Sequence, residues 1–167
     1  VDYFLYKLFD VYLIVLILAS ASQSRKNLLA NSDIQFIQIA SKFDESLIKE
    51  ENILKLSLQL SLSKAEHVLE ILRGKYFSQI LDFPNIEILG CDSLFELKGK
   101  AYGKPLNKDE AFNRWKIMNS SYGHLHTGHT ILFCEVDKNK KEIIFKKEQK
   151  NVISSKVYFS KLKDEEI

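Results

Sequence analysis

The chain has 167 residues, a length that fits one domain or at most two small lobes sharing a cleft. Its 24 Lys and Arg side chains stand against 22 Asp and Glu, and the net charge of +2 excludes a protein that binds polyanions through bulk charge. Hydrophobic residues make up 46% of the chain, so it can bury a core and is not disordered by composition.

The N-terminal region contains the first predicted elements. Residues 1–10 are predicted to form an appendage, and the continuous apolar run from Val11 is predicted to be a strand buried on both faces. Lys7 and Asp10 interrupt the apolar stretch, which is therefore shorter than the roughly 20 residues of a membrane-spanning helix. A targeting segment stays open as the alternative, because signal peptides have apolar regions of this length.

Strands and helices alternate in the first half of the chain, and strands cluster in the second half. The predicted elements are, in chain order, a short helix through 28–29, a strand at 34–40, a long helix at 50–72, a strand at 86–91 ending at Asp92, a hairpin at 94–102, a helix at 109–118, and strands at 125–136 and 143–159. This order predicts an α/β fold with a mixed central sheet and flanking helices.

The two cysteines and the clustered histidines are residue types that can bind metal ions. Cys91 and Cys134 lack the spacing of a zinc site or a disulfide framework, so buried free thiols in a reducing, cytoplasmic compartment are predicted. His124 and His126 share one face of a predicted strand, with His129 nearby, which is compatible with a metal site. No nearby carboxylate or cysteine completes such a site, and a surface or packing role is predicted instead.

A polar segment follows the first predicted strand, at the position where α/β proteins bind ligands. Ser20 and Ser22 are small enough for backbone amides and hydroxyls to approach a phosphate, and Arg25 adds a bidentate cation. The alternative is a serine that caps the next helix, accompanied by solvated basic residues.

Further candidates are acids and a lysine on later elements. The adjacent Asp44 and Glu45 could ligate a divalent cation such as Mg²⁺, or form a solvated acidic loop. Lys64 lies in an apolar helix and points either into a cleft or out to solvent. Asp92, at the predicted end of a buried strand, could activate a water molecule or cap the next turn.

Five motifs follow one another along the chain: Leu-Ala-Ser-Ala-Ser at 18–22 followed by Arg25, Phe-Asp-Glu at 43–45, Ser-Lys-Ala at 63–65, Gly-Cys-Asp-Ser at 90–93, and Gly-Lys-Pro at 103–105. In this order and at these separations they resemble the motifs of the Maf family of nucleoside triphosphate pyrophosphatases. The resemblance implies a fold related to that of inosine triphosphatase, with a mixed central sheet and two lobes around a cleft. It also implies metal-dependent hydrolysis of a nucleoside triphosphate to the monophosphate and pyrophosphate, with dTTP, UTP and modified nucleotides among the substrates.

The same resemblance implies roles for individual residues. Asp92 matches the acid that activates water, and Glu45 with Asp92 would hold a divalent metal cation, Mg²⁺ or Mn²⁺. The substrate-binding residues would be Ser20, Ser22, Arg25, Lys64, Ser93 and Lys104. The expected partner is the triphosphate substrate, without nucleic acid or membrane, and a homodimer is an alternative to a monomer.

The chain also departs from the family pattern. Gln23 and Ser24 stand where Pro-Arg is frequent, and Gly123 stands where many members have His. Family members continue past the segment that matches 163–167 into a region that helps line the site, so we expect residues 11–167 to be one Maf-like domain truncated at its C-terminus. The competing hypothesis is a nucleotide-binding regulatory module with little or no turnover, linked to cell division and septum formation.

Overall fold

The computed structural model describes residues 14–32, 34–103 and 105–167. The predicted appendage, the start of the predicted first strand and Lys104 lie outside these residues. The helices and strands of the described part are β1 (Ile14–Ala19), α1 (Gln23–Ala30), β2 (Phe36–Gln38), α2 (Ile53–Gly74), β3 (Asn85–Leu97), β4 (Lys100–Tyr102), α3 (Lys108–Met118), β5 (Tyr122–Asp137) and β6 (Glu142–Tyr158).

The strands form one mixed sheet in the order β2-β1-β3-β5-β6, with β4 beside the far half of β3. Strand β1 is parallel to β2 and β3, whereas β5 is antiparallel to both β3 and β6. The predicted α/β fold with a mixed sheet and flanking helices is confirmed. Among the described residues, no helix is both long enough and apolar enough to cross a membrane.

The prediction that the strand at 86–91 ends at Asp92 is wrong. Strand β3 continues to Leu97 because its second half pairs with β5, where Asp92 lies opposite Gly128. Strand β1 is the one that ends here, with Ala19 opposite Gly90. Asp92 therefore lies just beyond the carboxyl end of β1, beside an edge of β3 that β1 no longer covers.

Helix α2 covers one face of the sheet and forms the main core with it. The most deeply buried side chains of this core come from β1, α2, β3 and β5, and include Ile17, Ala65, Val68, Leu72, Ile86, Ile88 and Leu132. The helix begins after Asn52, whose side chain accepts a hydrogen bond from the amide of Lys55, a standard N-cap. The Ser61 and Thr130 hydroxyls meet at 2.8 Å inside this core, so their polar groups are satisfied despite burial.

Two glycines let α2 lie unusually close to the sheet. A Cβ atom at Gly90 would stand 2.0 Å from the carbonyl oxygen of Ser61, and one at Gly128 would stand 2.2 Å from that of Ser57. Both distances are far inside van der Waals contact, so only glycine fits at these positions without moving the helix. Since Ser61 is one turn before Lys64, this close approach brings Lys64 over the sheet near Asp92.

Beyond α2, strand β4 pairs with the far half of β3, and α3 lies beside them. Here the Trp115 ring packs edge-on against Phe159, with 5.5 Å between centroids, and Phe95 does the same at 5.7 Å. The predicted hairpin is confirmed, and its turn contains Lys98 and Gly99, both with positive φ.

The histidine segment lies on β5. His126 is 6% exposed, and its ring nitrogens lie 2.7 Å from Ser154 Oγ and 2.8 Å from Glu96 Oε2. In the part of the chain that the structure describes, no three His, Cys, Asp or Glu side chains are grouped to hold a metal ion. His126 is thus buried with a partner on each ring nitrogen, and one of these partners is a carboxylate, which the sequence pattern did not predict.

The close approach of α2 predicts the effect of a methyl group at Gly90. We expect Gly90→Ala to lower the free energy of unfolding by about 1–3 kcal/mol, the usual cost of overpacking, because the helix must move away. Gly74→Ala is the control, since nothing lies within 4 Å of its Cβ position and alanine favours a helix. Urea denaturation measures the free energy of unfolding of both variants. An equal decrease in the two would contradict a close approach of α2 at Gly90.

The buried thiols predict low chemical reactivity. Both cysteines are free and buried. Burial raises the pKa of Cys134 to about 11 and also raises that of Cys91. At pH 8 both thiols are then protonated in the folded protein, and since the thiolate is the reactive form, we expect slow labelling by a disulfide reagent. Urea-unfolded protein should react rapidly; fast labelling of the folded chain would show that these thiols are accessible.

Candidate active site

The candidate site lies where β1 ends beside β3, between helix α2 and the short turn of residues 45–47. Its central contact joins three charged side chains from separate parts of the chain. Lys64 Nζ lies 2.8 Å from Glu45 Oε1 and also forms an ion pair and hydrogen bond with Asp92 Oδ1. The structure therefore brings together three predicted site residues, and Lys64 points inward rather than out to solvent.

Burial differs among these three side chains. The side chains of Asp92 and Lys64 are 10% and 15% exposed, whereas that of Glu45 is 56% exposed. The pair of Lys64 and Asp92 forms the inner part of the site, and Glu45 closes it from the solvent side. Removing one partner of such a buried pair costs about 3–5 kcal/mol, because the remaining charge stays desolvated.

The pKa values of the inner pair reflect this burial. Burial raises the pKa of Asp92, and the hydrogen bond and charge of Lys64 offset only part of that effect. For Lys64, burial acts to lower the pKa, but the hydrogen bonds and charges of Asp92 and Glu45 outweigh it and the pKa is raised. Asp92 is thus a stronger base than an ordinary aspartate, and Lys64 stays charged.

Arg25 occupies the edge of β3 that β1 leaves uncovered. Its guanidinium donates to the Cys91 carbonyl at 2.8 Å, to Ser93 Oγ at 2.9 Å and to Ser20 Oγ at 3.2 Å. Its charge also acts to lower the pKa of Asp92, so the two groups share one electrostatic environment. Consecutive strand residues point to opposite faces, which places Ser93 on the Arg25 side and Asp92 on the Lys64 side.

The loop of residues 20–22 is held in place by its own hydroxyls. Ser22 is the N-cap of α1 and accepts a hydrogen bond from the Arg25 amide at 3.4 Å. Ser20 is buried and accepts one from the Ser22 amide at 3.2 Å. Ser22 therefore caps helix α1, as the alternative interpretation of this segment predicted. The Arg25 side chain, in contrast, is not left in solvent but bonds to β3. The amides at the start of α1 face the same end of β1 as Arg25.

The adjacent acids Asp44 and Glu45 have different roles in the structure. Asp44 is exposed and caps the turn that follows, since its side chain accepts hydrogen bonds from the amide and the hydroxyl of Ser46. Glu45 alone reaches Lys64. Of the two adjacent carboxylates, only Glu45 is placed in the site.

Two polar residues of the site, Thr127 and Gln38, were not predicted from the sequence, and a third, His129, was expected to have only a surface or packing role. Thr127 Oγ1 lies 2.9 Å from Ser93 Oγ, and Gln38 Nε2 donates to the Ser20 carbonyl at 2.8 Å. His129 lies across from Cys91 on β5, and burial together with the Arg25 charge lowers its pKa. Only strand register places these residues, and no local sequence motif indicates it. Lys104, the remaining predicted residue, lies outside the described residues.

The donor set can be tested against a divalent metal. Two carboxylates converge on one positive charge, the ammonium of Lys64. Two protein carboxylates are typical of Mg²⁺, which takes its other ligands from water and substrate phosphates. Glu45 and Asp92 therefore fit a metal that is completed by a bound anion.

Comparison with known proteins finds one family model and a set of relatives that share one name. A family model described as Maf-like protein matches residues 15–167. The chain is 52% identical over 153 residues to a nucleoside triphosphate pyrophosphatase of Prochlorococcus marinus (strain AS9601), which covers 92% of this chain and 75% of the relative.

Two more distant relatives carry the same name. The protein from Prochlorococcus marinus (strain NATL1A) is 38% identical over 153 residues, covering 90% of this chain and 71% of the relative. The protein from Trichormus variabilis (strain ATCC 29413 / PCC 7937) is 40% identical over 116 residues, covering 70% and 53%. Together with the motifs that converge at the end of β1, these matches show that the chain belongs to the Maf-like protein family.

Proposed function

We propose that this protein hydrolyses a nucleoside triphosphate to the nucleoside monophosphate and pyrophosphate. The observation that carries the proposal is the convergence of Glu45, Lys64 and Asp92 beside Arg25 at one end of the sheet. Acids and cations at one point suit a polyanionic substrate and its hydrolysis. The relatives named nucleoside triphosphate pyrophosphatase support the same reaction.

The phosphate chain would be bound by cations on both sides of β3. Arg25 presents a guanidinium already oriented by Ser20, Ser93 and the Cys91 carbonyl. The Ser22 loop and the first turn of α1 add hydroxyl and amide donors. Lys64 contributes charge from the α2 side, and Lys104 is proposed as a further phosphate ligand.

Asp92 is proposed as the general base. Its carboxylate is nearly buried beside Lys64, where it can reach a water molecule at the bound phosphate chain. It would accept a proton from the water that attacks the α-phosphorus, while the nearby cations stabilise the charge that develops on the departing pyrophosphate. Glu45 and Asp92 would hold Mg²⁺ or Mn²⁺, which supplies charge neutralisation of the phosphate oxygens when bound.

The remaining proposals concern the cellular compartment, the binding partners, the oligomeric state and the domain bounds. The free cysteines suit a reducing compartment, and we propose that the protein acts in the cytoplasm. The proposed partner is the triphosphate substrate, with no nucleic acid or membrane, and a homodimer stays a prediction. Residues 11–167 as one domain after an N-terminal appendage likewise stay a prediction.

The proposed base predicts the effect of Asp92→Asn. Because the amide cannot accept the proton of the attacking water, we expect kcat for pyrophosphate release to fall by roughly 10²–10³. Asp109→Asn, at an exposed position in the first turn of α3, is the control and should retain wild-type activity.

Pyrophosphate release from a panel of canonical and modified triphosphates, with Mg²⁺ or Mn²⁺, measures both variants. Near wild-type turnover by Asp92→Asn would remove Asp92 from this role. Binding of triphosphate and metal by the wild-type protein without any turnover would instead support the regulatory-module hypothesis.

The hydrogen bonds of Arg25 predict that a lysine at this position lowers activity, although the lysine keeps the positive charge. Arg25→Lys keeps the positive charge but cannot make three directed hydrogen bonds from one planar group. Charged hydrogen bonds contribute about 1.5–3 kcal/mol, so we expect kcat/KM to fall roughly tenfold to a hundredfold. Arg73→Lys, on the last turn of α2, is the matched control. Unchanged kcat/KM in Arg25→Lys would show that Arg25 does not orient the phosphates.

A further inference from the structure

The position of Lys64 has a consequence for metal binding that rests on the proposed function. Its ammonium lies between Glu45 and Asp92, within ion-pair distance of both. These two carboxylates are the groups proposed to hold the divalent cation. A metal ion and the ammonium cannot both lie at the point between Glu45 Oε1 and Asp92 Oδ1, because two positive charges at contact distance repel each other.

In the free protein the ammonium already offsets part of the negative charge of the two carboxylates. The inner partner of Lys64 is Asp92, whose side chain is 10% exposed, and so the contact is poorly accessible to water. A hydrated divalent ion would have to shed water and displace Lys64, which would then lose both of its partners. Metal binding to the free protein is therefore opposed by a group of the protein itself.

A triphosphate changes this balance because it offers Lys64 other anionic oxygens. Glu45, at 56% exposure, is the solvent-facing member of the three, so access to the site from solvent is on its side. We propose that Lys64 occupies the metal position in the free protein and moves onto the phosphates when substrate binds, which opens Glu45 and Asp92 to the metal. Metal and triphosphate then strengthen each other's binding, as linkage requires.

Mn²⁺ binding without nucleotide tests this exchange directly. Electron paramagnetic resonance measures free Mn²⁺ during titration of the wild type, Lys64→Met, and the control Lys55→Met, an exposed lysine in the first turn of the same helix. We expect Lys64→Met to bind Mn²⁺ at least tenfold more tightly than the wild type, and Lys55→Met to match the wild type. Lys64→Gln, whose amide can still donate a hydrogen bond, serves if the methionine variant does not fold.

The tighter binding must also come from the two carboxylates. Adding Glu45→Gln to Lys64→Met should return Mn²⁺ affinity to the wild-type level or below. Lys64 variants that bind Mn²⁺ no more tightly than the wild type would overturn the inference. Tight binding that survives Glu45→Gln would do the same, since it would place the metal elsewhere.

An experiment on the wild-type protein tests the movement of Lys64 independently of the variants. The nuclear magnetic resonance signal of the Lys64 ε-methylene should stay in place when Mg²⁺ alone is added. It should shift when inorganic tripolyphosphate, which carries the phosphate chain without a base, is added with Mg²⁺. A shift caused equally by Mg²⁺ alone would contradict the exchange.

Turnover separates this inference from the proposed function. Pyrophosphate release by the same wild-type preparation is measured alongside the Mn²⁺ titrations. If no triphosphate is hydrolysed while the Lys64 variants bind Mn²⁺ more tightly, the proposed reaction fails and the exchange stands. If hydrolysis is observed while the Lys64 variants bind Mn²⁺ as the wild type does, only the exchange fails.

Discussion

The ammonium of Lys64 between two carboxylates is the interaction that organises this site. It requires a helix, a turn and a strand to meet at one point, and the meeting depends on how closely α2 approaches the sheet. Gly90 and Gly128 permit that approach, since a Cβ atom on either would collide with the helix backbone. The two glycines that support the core thus also set the distance over which Lys64 reaches Asp92.

The difference in length between β1 and β3 creates the place where a ligand can bind. Strand β1 stops at Ala19, while β3 continues and leaves an uncovered edge. Arg25 fills that edge by bonding to the Cys91 carbonyl, and Asp92 projects to the α2 side next to it. Arg25 and Lys64 thus place one cation on each side of the strand, and the carboxylates of Glu45 and Asp92 balance them. Under the proposed function, the placement of these groups and not the overall charge would bind the phosphate chain.

The motifs carried more information about the site than the secondary-structure pattern did. Strong apolar periodicity made α2 predictable, and alternation with turn residues did the same for the β5 and β6 hairpin. The extent of β3 was not predictable, because Gly90, Cys91 and Asp92 interrupt the apolar run although the strand continues through them. Pairing with β5 extends the strand past these residues, and that pairing is a non-local interaction.

The amino-acid sequence by itself determined the fold class, the main helix and the set of polar segments at which chemistry is expected, since periodicity and residue type are local properties. Tertiary structure alone decided which residues of those segments meet. It separated Glu45 from Asp44, turned Lys64 inward, and brought in Thr127 and Gln38. The physical reason is that strand register and the approach of a helix to a sheet arise from contacts between residues far apart in the chain, which no local pattern encodes.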